Sequence, residues 1–541
     1  MFGTARSSHT TALGIDFTHA FASVNLSDTE TTSDVVSDAD SECCGGGCCM
    51  TGTSTPASVD GTPPPFLLTP PQTKAFKSLR LPIDRIARIF RLVATAKLPD
   101  VNVFFEFNSN GSKHVTDEYL PPAFVTPHPP YSVQKIPVID ARLLTSADAH
   151  KRTYHFDLDV SDYPEEIKDV DFRVGGAVGV CPANDTSLVN EVITRLGIQS
   201  PDTLVKMHTK GGRWPTIWGE EEARSLKTSL REILTWTVDL NNGIITKNLF
   251  RVLAEYAEDQ SERSILLWLC SRQGQSTFCS MRSAAYPPTL IQLLHAFPST
   301  KPSIESLISV LPTLMPRFYS LSSDPIPIDG HSRRKIEVAV TVHESPEEWR
   351  EAYDYRAGNC SGYFETIAKR YIQGISVSVP LFRGLQANPL AREFRPDGPM
   401  LLVGAGVGIA PFRGYVQRRL KSATCKNKVW VLQGCRDSLV DELYAGEWGI
   451  DDSDVRRVIE SRRGTKKYVQ DEVLAQSDLV WSVISHPDGK VFVCGSSKGM
   501  GEGVERALIT VAVEFGGFSQ EEAVEYWEEK KRTWQYVTET W

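Results

Sequence analysis

The sequence predicts two folded halves: an antiparallel β-barrel interrupted by a helical insert, followed by a doubly wound α/β domain with a parallel sheet. Three observations carry this. Short alternating strands fill residues 132–395, broken by a helical pattern from about 225 to 309. Strands and helices then alternate from 396 to 541. At the head of the second half, "MLLVGAGVGIAPFRGYVQRRL" (Met400–Leu420) runs from an apolar strand through Gly404, Gly406 and Gly408 into a helix opened by Pro411. Glycines let the backbone approach a pyrophosphate, and a helix N-terminus supplies free N–H groups and positive dipole. A glycine turn alone is a weak signal, because tight strand–helix turns also use glycine.

Composition narrows the class. A 541-residue chain that is 41% hydrophobic and 23% charged has ample core for two or three domains. Most of its net charge of −9 sits in residues 1–65, where Arg6 faces eight acidic residues. The rest is nearly neutral, so no global field favours nucleic acid. No apolar run reaches the roughly 20 residues of a spanning helix, and the start lacks a secretory pattern. Eleven cysteines in a chain of this size do not resemble a disulfide framework, which points to a reducing, cytoplasmic setting.

The elements follow in order. Residues 1–75, rich in Ser, Thr, Gly, Asp and Pro, read as a disordered low-complexity tail. Its "ECCGGGCCM" cluster (Cys43, Cys44, Cys48, Cys49) is a low-complexity run, or a place for a soft metal or acyl chains; no metal ligands are assigned elsewhere. Residues 76–131 read as a small adaptor. An amphipathic helix near 83–97, with Arg85, Arg88 and Arg91 off its apolar stripe, packs on the body of the protein or lies on a membrane surface. "VNVFFEF" is a strand. The barrel segment supplies "IPVIDARLLTS" and "TYHFDLDVSD", then a strand to Val180 and a helix ending at Gly197. "RFYSLSS", "KIEVAVTVH" and "GISVSVPLF" resume the strands after the insert. In the second half, "KVWVLQGCR", Val455–Glu460 and "KVFVCGSS" are strands. Leu439–Glu447, "YVQDEVLAQSDLVWSVI" and "MGEGVERALITVAVEF" are helical, and Ser519 with Glu522 forms a capping box.

From about 132 onward the chain resembles the FAD/NADPH half of the diflavin reductases, the family of cytochrome P450 reductase, methionine synthase reductase and the sulfite reductase flavoprotein. The resemblance rests on "CPANDTSLVNEVITRLG", "RFYSLSS", "GNCS", "GAGVGIAPFRG", "GCRDSLVDELY", "KKYVQDEV", "FVCGSSKGM" and a terminal Trp, in that order. It implies a ferredoxin-NADP reductase-like fold binding FAD and NADPH. Arg317 can grip phosphate with its fork. Tyr319 can cover a flavin, and Ser320 can stand near the reacting nitrogen. Gly358, Cys360 and Ser361 open a helix suited to the FAD pyrophosphate, although Ser361 could be a plain helix cap. Arg436, Ser461, Arg462, Lys466 and Tyr468 make a polar, cationic pocket for a 2′-phosphate, with Tyr468 on the adenine. Ser320, Cys494 and Glu539 match the family's nicotinamide-side trio, Glu539 standing where Asp is common. Trp541, expected on a short mobile tail, matches the aromatic that covers the flavin and swings away for nicotinamide.

Two residues depart from the family pattern. Val407 replaces a usual Thr, at the cost of one pyrophosphate hydrogen bond, and Ser496 replaces a usual Asp after "CG". Nothing before residue 132 has the length or hydroxyl-rich loop of an FMN-binding flavodoxin domain. The resemblance therefore implies hydride transfer from NADPH to FAD, with electrons passing to a separate acceptor: a flavodoxin-like protein, a ferredoxin or a haem protein. A small-molecule or quinone acceptor, or a non-catalytic partner-binding subunit, are the alternatives.

Overall fold

The computed structural model describes residues 68–541 except 89–91, 108–111, 115–116, 127–131, 165–171, 211–223, 242–244, 285, 326–333, 345–356, 385–397, 422–428 and 449–454. The Cys43–Cys49 cluster and nearly all of the N-terminal segment lie outside the described residues.

Among the described residues the first half has nine strands: β1 (Val103–Phe107), β2 (Gln134–Leu143), β3 (Thr153–Asp159), β4 (Ala177–Val180), β5 (Val205–Thr209), β6 (Arg224–Thr228), β7 (Arg317–Ser320), β8 (Lys335–Thr341) and β9 (Ser378–Arg383). Six form an antiparallel sheet ordered β7-β4-β9-β2-β3-β8. A bridge between Leu321 and Val338 brings its two edges together, closing the barrel. Alternate residues point inward, so Phe156 and Leu158 of β3 fill the interior with Val178, Val338 and Leu381. The polar partners on that strand, His155 and Asp157, face outward, yet His155 is buried because the second half covers it. Phe364, from the helix Asn359–Ile372, packs on Phe156 at 4.8 Å between ring centroids.

The helical lobe has its own core, including Ile233, Phe250, Leu266, Trp268, Phe278 and Leu293. Its helices start where the sequence offers caps: Ser229, Thr246, Asp259 and Ser303 each accept a backbone N–H of the first turn. Two expectations change here. The insert opens as strand β6, which joins β1 and β5 in a three-stranded sheet ordered β1-β5-β6. Residues 76–131 also lack a core of their own among the described residues. Phe76, Ile86 and Val103 complete the lobe's core, with Phe76 edge-on to Phe297 at 5.6 Å, while Tyr119 joins the barrel. The amphipathic stripe near 83–97 is helical only at Ile83–Ile86 among the described residues.

The second half is a five-stranded parallel sheet of β10 (Met400–Ala405), β11 (Val429–Cys435), β12 (Arg456–Glu460), β13 (Lys490–Gly495) and β14 (Tyr536–Thr540). The order is β12-β11-β10-β13-β14. The chain leaves β10 toward one edge and returns to β13 on the other side, so the switch point lies between β10 and β13, where such sheets open a ligand crevice. The helix expected at Leu439–Glu447 stops at Asp441. Tyr444 and Gly446 take left-handed backbone, and Leu443, Tyr444 and Trp448 turn into the core facing the barrel. The helix expected over 468–484 is two helices, Val469–Ala475 and Ser477–Ser485, parted at Gln476. The capping box of Ser519 and Glu522 is present.

Candidate functional site

A cleft of about 520 Å³ opens between the barrel and the carboxyl ends of β13 and β14. It gathers residues far apart in the chain: Arg317, Tyr319 and Ser320 from β7, Gly358, Cys360 and Ser361 from the start of the helix Asn359–Ile372, and Cys494, Glu539 and Trp541 from the second half. Strand pairing explains the juxtaposition on the far wall. Cys494 and Glu539 are register partners across β13 and β14, so their side chains share a face. The Glu539 carboxylate accepts from the Ser320 hydroxyl at 3.4 Å, and the Cys494 thiol lies 4.0 Å from it. Burial, then the Glu539 charge, pushes the Cys494 thiol well above its ordinary value. It therefore stays protonated and offers a neutral S–H.

The near wall is built by the barrel. Tyr319 is held edge-on by Phe364 at 5.1 Å. Its hydroxyl meets the Cys360 thiol, and burial pushes Cys360 up to about 12. Arg317 turns its guanidinium onto the carbonyls of Met315 and Pro316 at 2.9 and 3.3 Å. Ser361 does not cap its helix. Its hydroxyl accepts from the His343 N–H at 3.2 Å and donates to the Gly358 carbonyl at 3.4 Å. Gly358 is the N-cap and contributes no side chain, so no side chain caps the first turn. His343, Thr341 and Asn241 also line the cleft. Sequence reasoning missed them, since no local pattern marks a residue brought in by tertiary packing.

The glycine turn is a short 3-10 stretch, Gly406–Ile409, leading into the helix Ala410–Lys421. Gly406 needs its left-handed φ of +56°. Gly408 is required by proximity, because a Cβ there would stand 2.3 Å from the Cys494 carbonyl oxygen. The turn is thus wedged against the end of β13, and Val407 and Pro411 border the cleft. Ser496 spends its hydroxyl on the Lys498 carbonyl at 3.1 Å.

Trp541 is not on a free tail. Its N–H donates to the Gly495 carbonyl at 3.1 Å, and a main-chain oxygen accepts from Ser497 at 2.9 Å. Its main chain is pinned, and the residue is 56% exposed.

A second group gathers beyond β11 and β12. Ser461 and Arg462 donate their backbone N–H groups to the Cys435 and Arg436 carbonyls, joining the two loops. Arg462 donates to the Tyr468 hydroxyl at 3.1 Å, and Lys466 holds a left-handed backbone. The polar, cationic pocket read from the sequence also holds acidic groups. Asp437 and Glu460 lie in it and pair with Arg463 at 3.6 and 3.9 Å. Glu460 also accepts from the Ser438 N–H at 2.9 Å. Arg462 and Lys466 form no ion pair with them among the described residues.

Between the halves lies a charged latch. Arg413, three residues into the glycine-turn helix, pairs with Glu337 of β8 at 2.5 Å and with Glu447 at 3.5 Å. His155 bonds the Tyr444 hydroxyl at 3.0 Å and Asp157 at 2.8 Å. Ligand atoms of His155, Asp157 and Glu337 lie within 4.8 Å of one another, as a metal site would need. Lys335 and Arg413 already match the two carboxylates, so a cation would have to displace them.

Barrel, insert, parallel sheet and cleft define an oxidoreductase of the flavin- and nicotinamide-binding class. Residues 127–363 match the FAD binding domain family, and residues 402–506 the oxidoreductase NAD-binding domain family. The chain is 44% identical over 468 residues to an uncharacterized FAD-binding protein of Schizosaccharomyces pombe, covering 79% of this chain and 80% of the relative. It is 29% identical over 441 residues to methionine synthase reductase of Bos taurus, covering 75% and 61%. It is 25% identical over 414 residues to NADPH–cytochrome P450 reductase of Dictyostelium discoideum, covering 75% and 57%. The chain belongs to the FAD- and NADP-binding family that forms the corresponding half of the diflavin reductases.

Proposed function

We propose that this protein is an FAD-dependent reductase that oxidises NADPH and delivers the electrons to a separate acceptor protein. The observation that carries the reading is the meeting of Ser320, Cys494 and Glu539, from three strands in two halves, within 4.0 Å. Bound FAD supplies hydride acceptance from the nicotinamide and onward release of electrons. The chain's own residues position and balance charge. With a nicotinamide bound in this cleft, Glu539 would hold a negative charge beside it, which favours the positive charge of the oxidised ring. Ser320 holds a hydroxyl proton toward that carboxylate, and Cys494 presents an uncharged S–H. Arg317 and the turn Gly358–Ser361 would hold phosphates, and Tyr319 with the Trp541 indole would bracket a flat ring. A protein acceptor is supported by relatives whose names pair them with cytochrome P450 and with methionine synthase.

The test is anaerobic mixing of the purified protein with NADPH. The expected result is a yellow protein that bleaches, and that regains colour with a protein acceptor faster than with a quinone. A colourless protein that cannot be loaded with FAD, or a yellow one that NADPH does not bleach, would refute the reading.

Coenzyme choice gives a separate prediction. The double variant Arg462→Ala/Lys466→Ala should raise the KM for NADPH about 10- to 100-fold, the loss expected when charge-assisted bonds of roughly 1.5–3 kcal/mol are removed. The KM for NADH should change less than about twofold, because these groups would touch only the 2′-phosphate. Steady-state kinetics with both coenzymes measures this, and equal losses would place the pocket elsewhere.

A further inference from the structure

The helical insert does more than sit beside the barrel. After the helix Leu230–Trp236 the chain bends at Val238–Asn241 and reaches the turn that starts the helix Asn359–Ile372. Asp239, 4% exposed, is fixed by its own N–H to the Pro312 carbonyl at 2.9 Å. Its Oδ1 accepts from the Asn359 side-chain amide at 2.8 Å and from the Asn241 N–H at 3.1 Å. Asn241 in turn donates its side-chain amide to the Ala357 carbonyl at 2.8 Å. The two bonds to 357 and 359 straddle Gly358. From the other side, Gly358 donates to the His343 carbonyl at 2.8 Å, and His343 donates to Ser361. The turn is therefore gripped by the barrel on one side and by the insert on the other. Asn241, Gly358 and Asn359 all border the flavin cleft.

We infer that the insert completes the FAD site: Asp239 is a positioning residue that fixes the pyrophosphate-binding turn through Asn359, with Asn241 as its second tie. This rests on the reading of Gly358–Ser361 as the pyrophosphate turn. A backbone that must present N–H groups to phosphate loses affinity when it can wander, because ordering it is then charged against binding. The Asp239 charge is not what is needed, since an anion beside phosphate repels it. What is needed is a fixed acceptor for two donors, and asparagine retains one.

The experiment titrates the flavin-stripped full chain with FAD and reads fluorescence quenching. Asp239→Ala should weaken FAD about tenfold or more, while Asp239→Asn stays within about threefold of wild type. The melting temperature of the stripped protein should be unchanged in both. Asn359→Ala should weaken FAD to a similar degree, and the double variant Asp239→Ala/Asn359→Ala no further, because the two act through one contact. Additive losses, failure of asparagine to rescue, or a fall in the stripped protein's melting temperature that accounts for the loss would overturn the inference. Unchanged FAD affinity in Asp239→Ala, with Arg317→Ala weakened, would overturn it and leave the phosphate reading standing. Unchanged affinity in both would remove the phosphate reading itself. Should Asp239→Ala fail to fold, Asn359→Ala and Asn241→Ala decide by the same criterion.

Discussion

Arg317→Ala is expected to yield a protein that loses FAD on dilution. The guanidinium sits at the cleft, resting on the Met315 and Pro316 carbonyls. These are neutral acceptors that a phosphate outcompetes, because a bidentate arginine–phosphate bond is charge-assisted. Removing it forfeits roughly 1.5–3 kcal/mol and leaves a phosphate oxygen unpaired, so FAD affinity should fall about 10- to 150-fold. Arg317→Lys should lie between, since lysine restores charge without the fork. Flavin content after gel filtration, together with the FAD dissociation constant, measures the effect. Wild-type retention in the alanine variant would remove Arg317 from the site.

The second large effect concerns Arg413, which the sequence did not single out. Alanine there leaves Glu337, 7% exposed, with Lys335 at 2.8 Å and the His155 ring at 3.8 Å among the described residues. It also strips the cation from the Tyr444 ring 4.6 Å away. Breaking a buried pair by removing one partner costs about 3–5 kcal/mol, and Lys335 should hold the loss near the lower figure. The unfolding midpoint in guanidinium should fall accordingly. NADPH-driven bleaching should slow as well, because the latch joins the strand side of the barrel to the glycine-turn helix. Arg413→Met with Glu337→Gln should recover most of the stability, as no charge is then stranded. Full recovery of midpoint without recovery of bleaching would show that the latch orients the halves rather than merely stabilising them.

The latch also has a pH signature. Burial works to raise Glu337, but the Arg413 charge and bonds from Lys335 and Arg413 outweigh it and hold the carboxyl below its ordinary range. Burial likewise works to raise Asp157, and bonds from His155 and Lys335 outweigh it. Lowered carboxyls contribute stability above their unfolded values and lose it as pH falls through their folded ones. Removing Arg413 lets Glu337 titrate closer to its unfolded value, so the stability gap between wild type and Arg413→Ala should narrow as pH falls through the wild-type folded value of Glu337. A gap that stays constant from neutral to acid pH would contradict this.

Much of the architecture was written locally. Gly197 ends its helix with φ +69°, Ser519 and Glu522 box the start of theirs, and Gly404–Gly408 mark the switch-point turn. Such features depend on residues within one turn of each other, so their physics is visible in a short window. Strand β6 and the short helix at Ser438 were not, because partners distant in sequence decided them: β5 pairs the one, and the barrel-facing core draws Leu443, Tyr444 and Trp448 out of the other.

By itself the sequence determined a barrel with an insert, a parallel sheet with a phosphate turn, and the residue types of the cleft. Only the tertiary structure decided that Ser320 meets Glu539 across 219 positions, that Asp437 and Glu460 temper the cationic pocket, and that Asp239 reaches Asn359. The physical reason is the range of the forces. Backbone propensity and capping act over a few residues, whereas a hydrogen bond or ion pair forms only after packing has brought its two ends within about 3–4 Å.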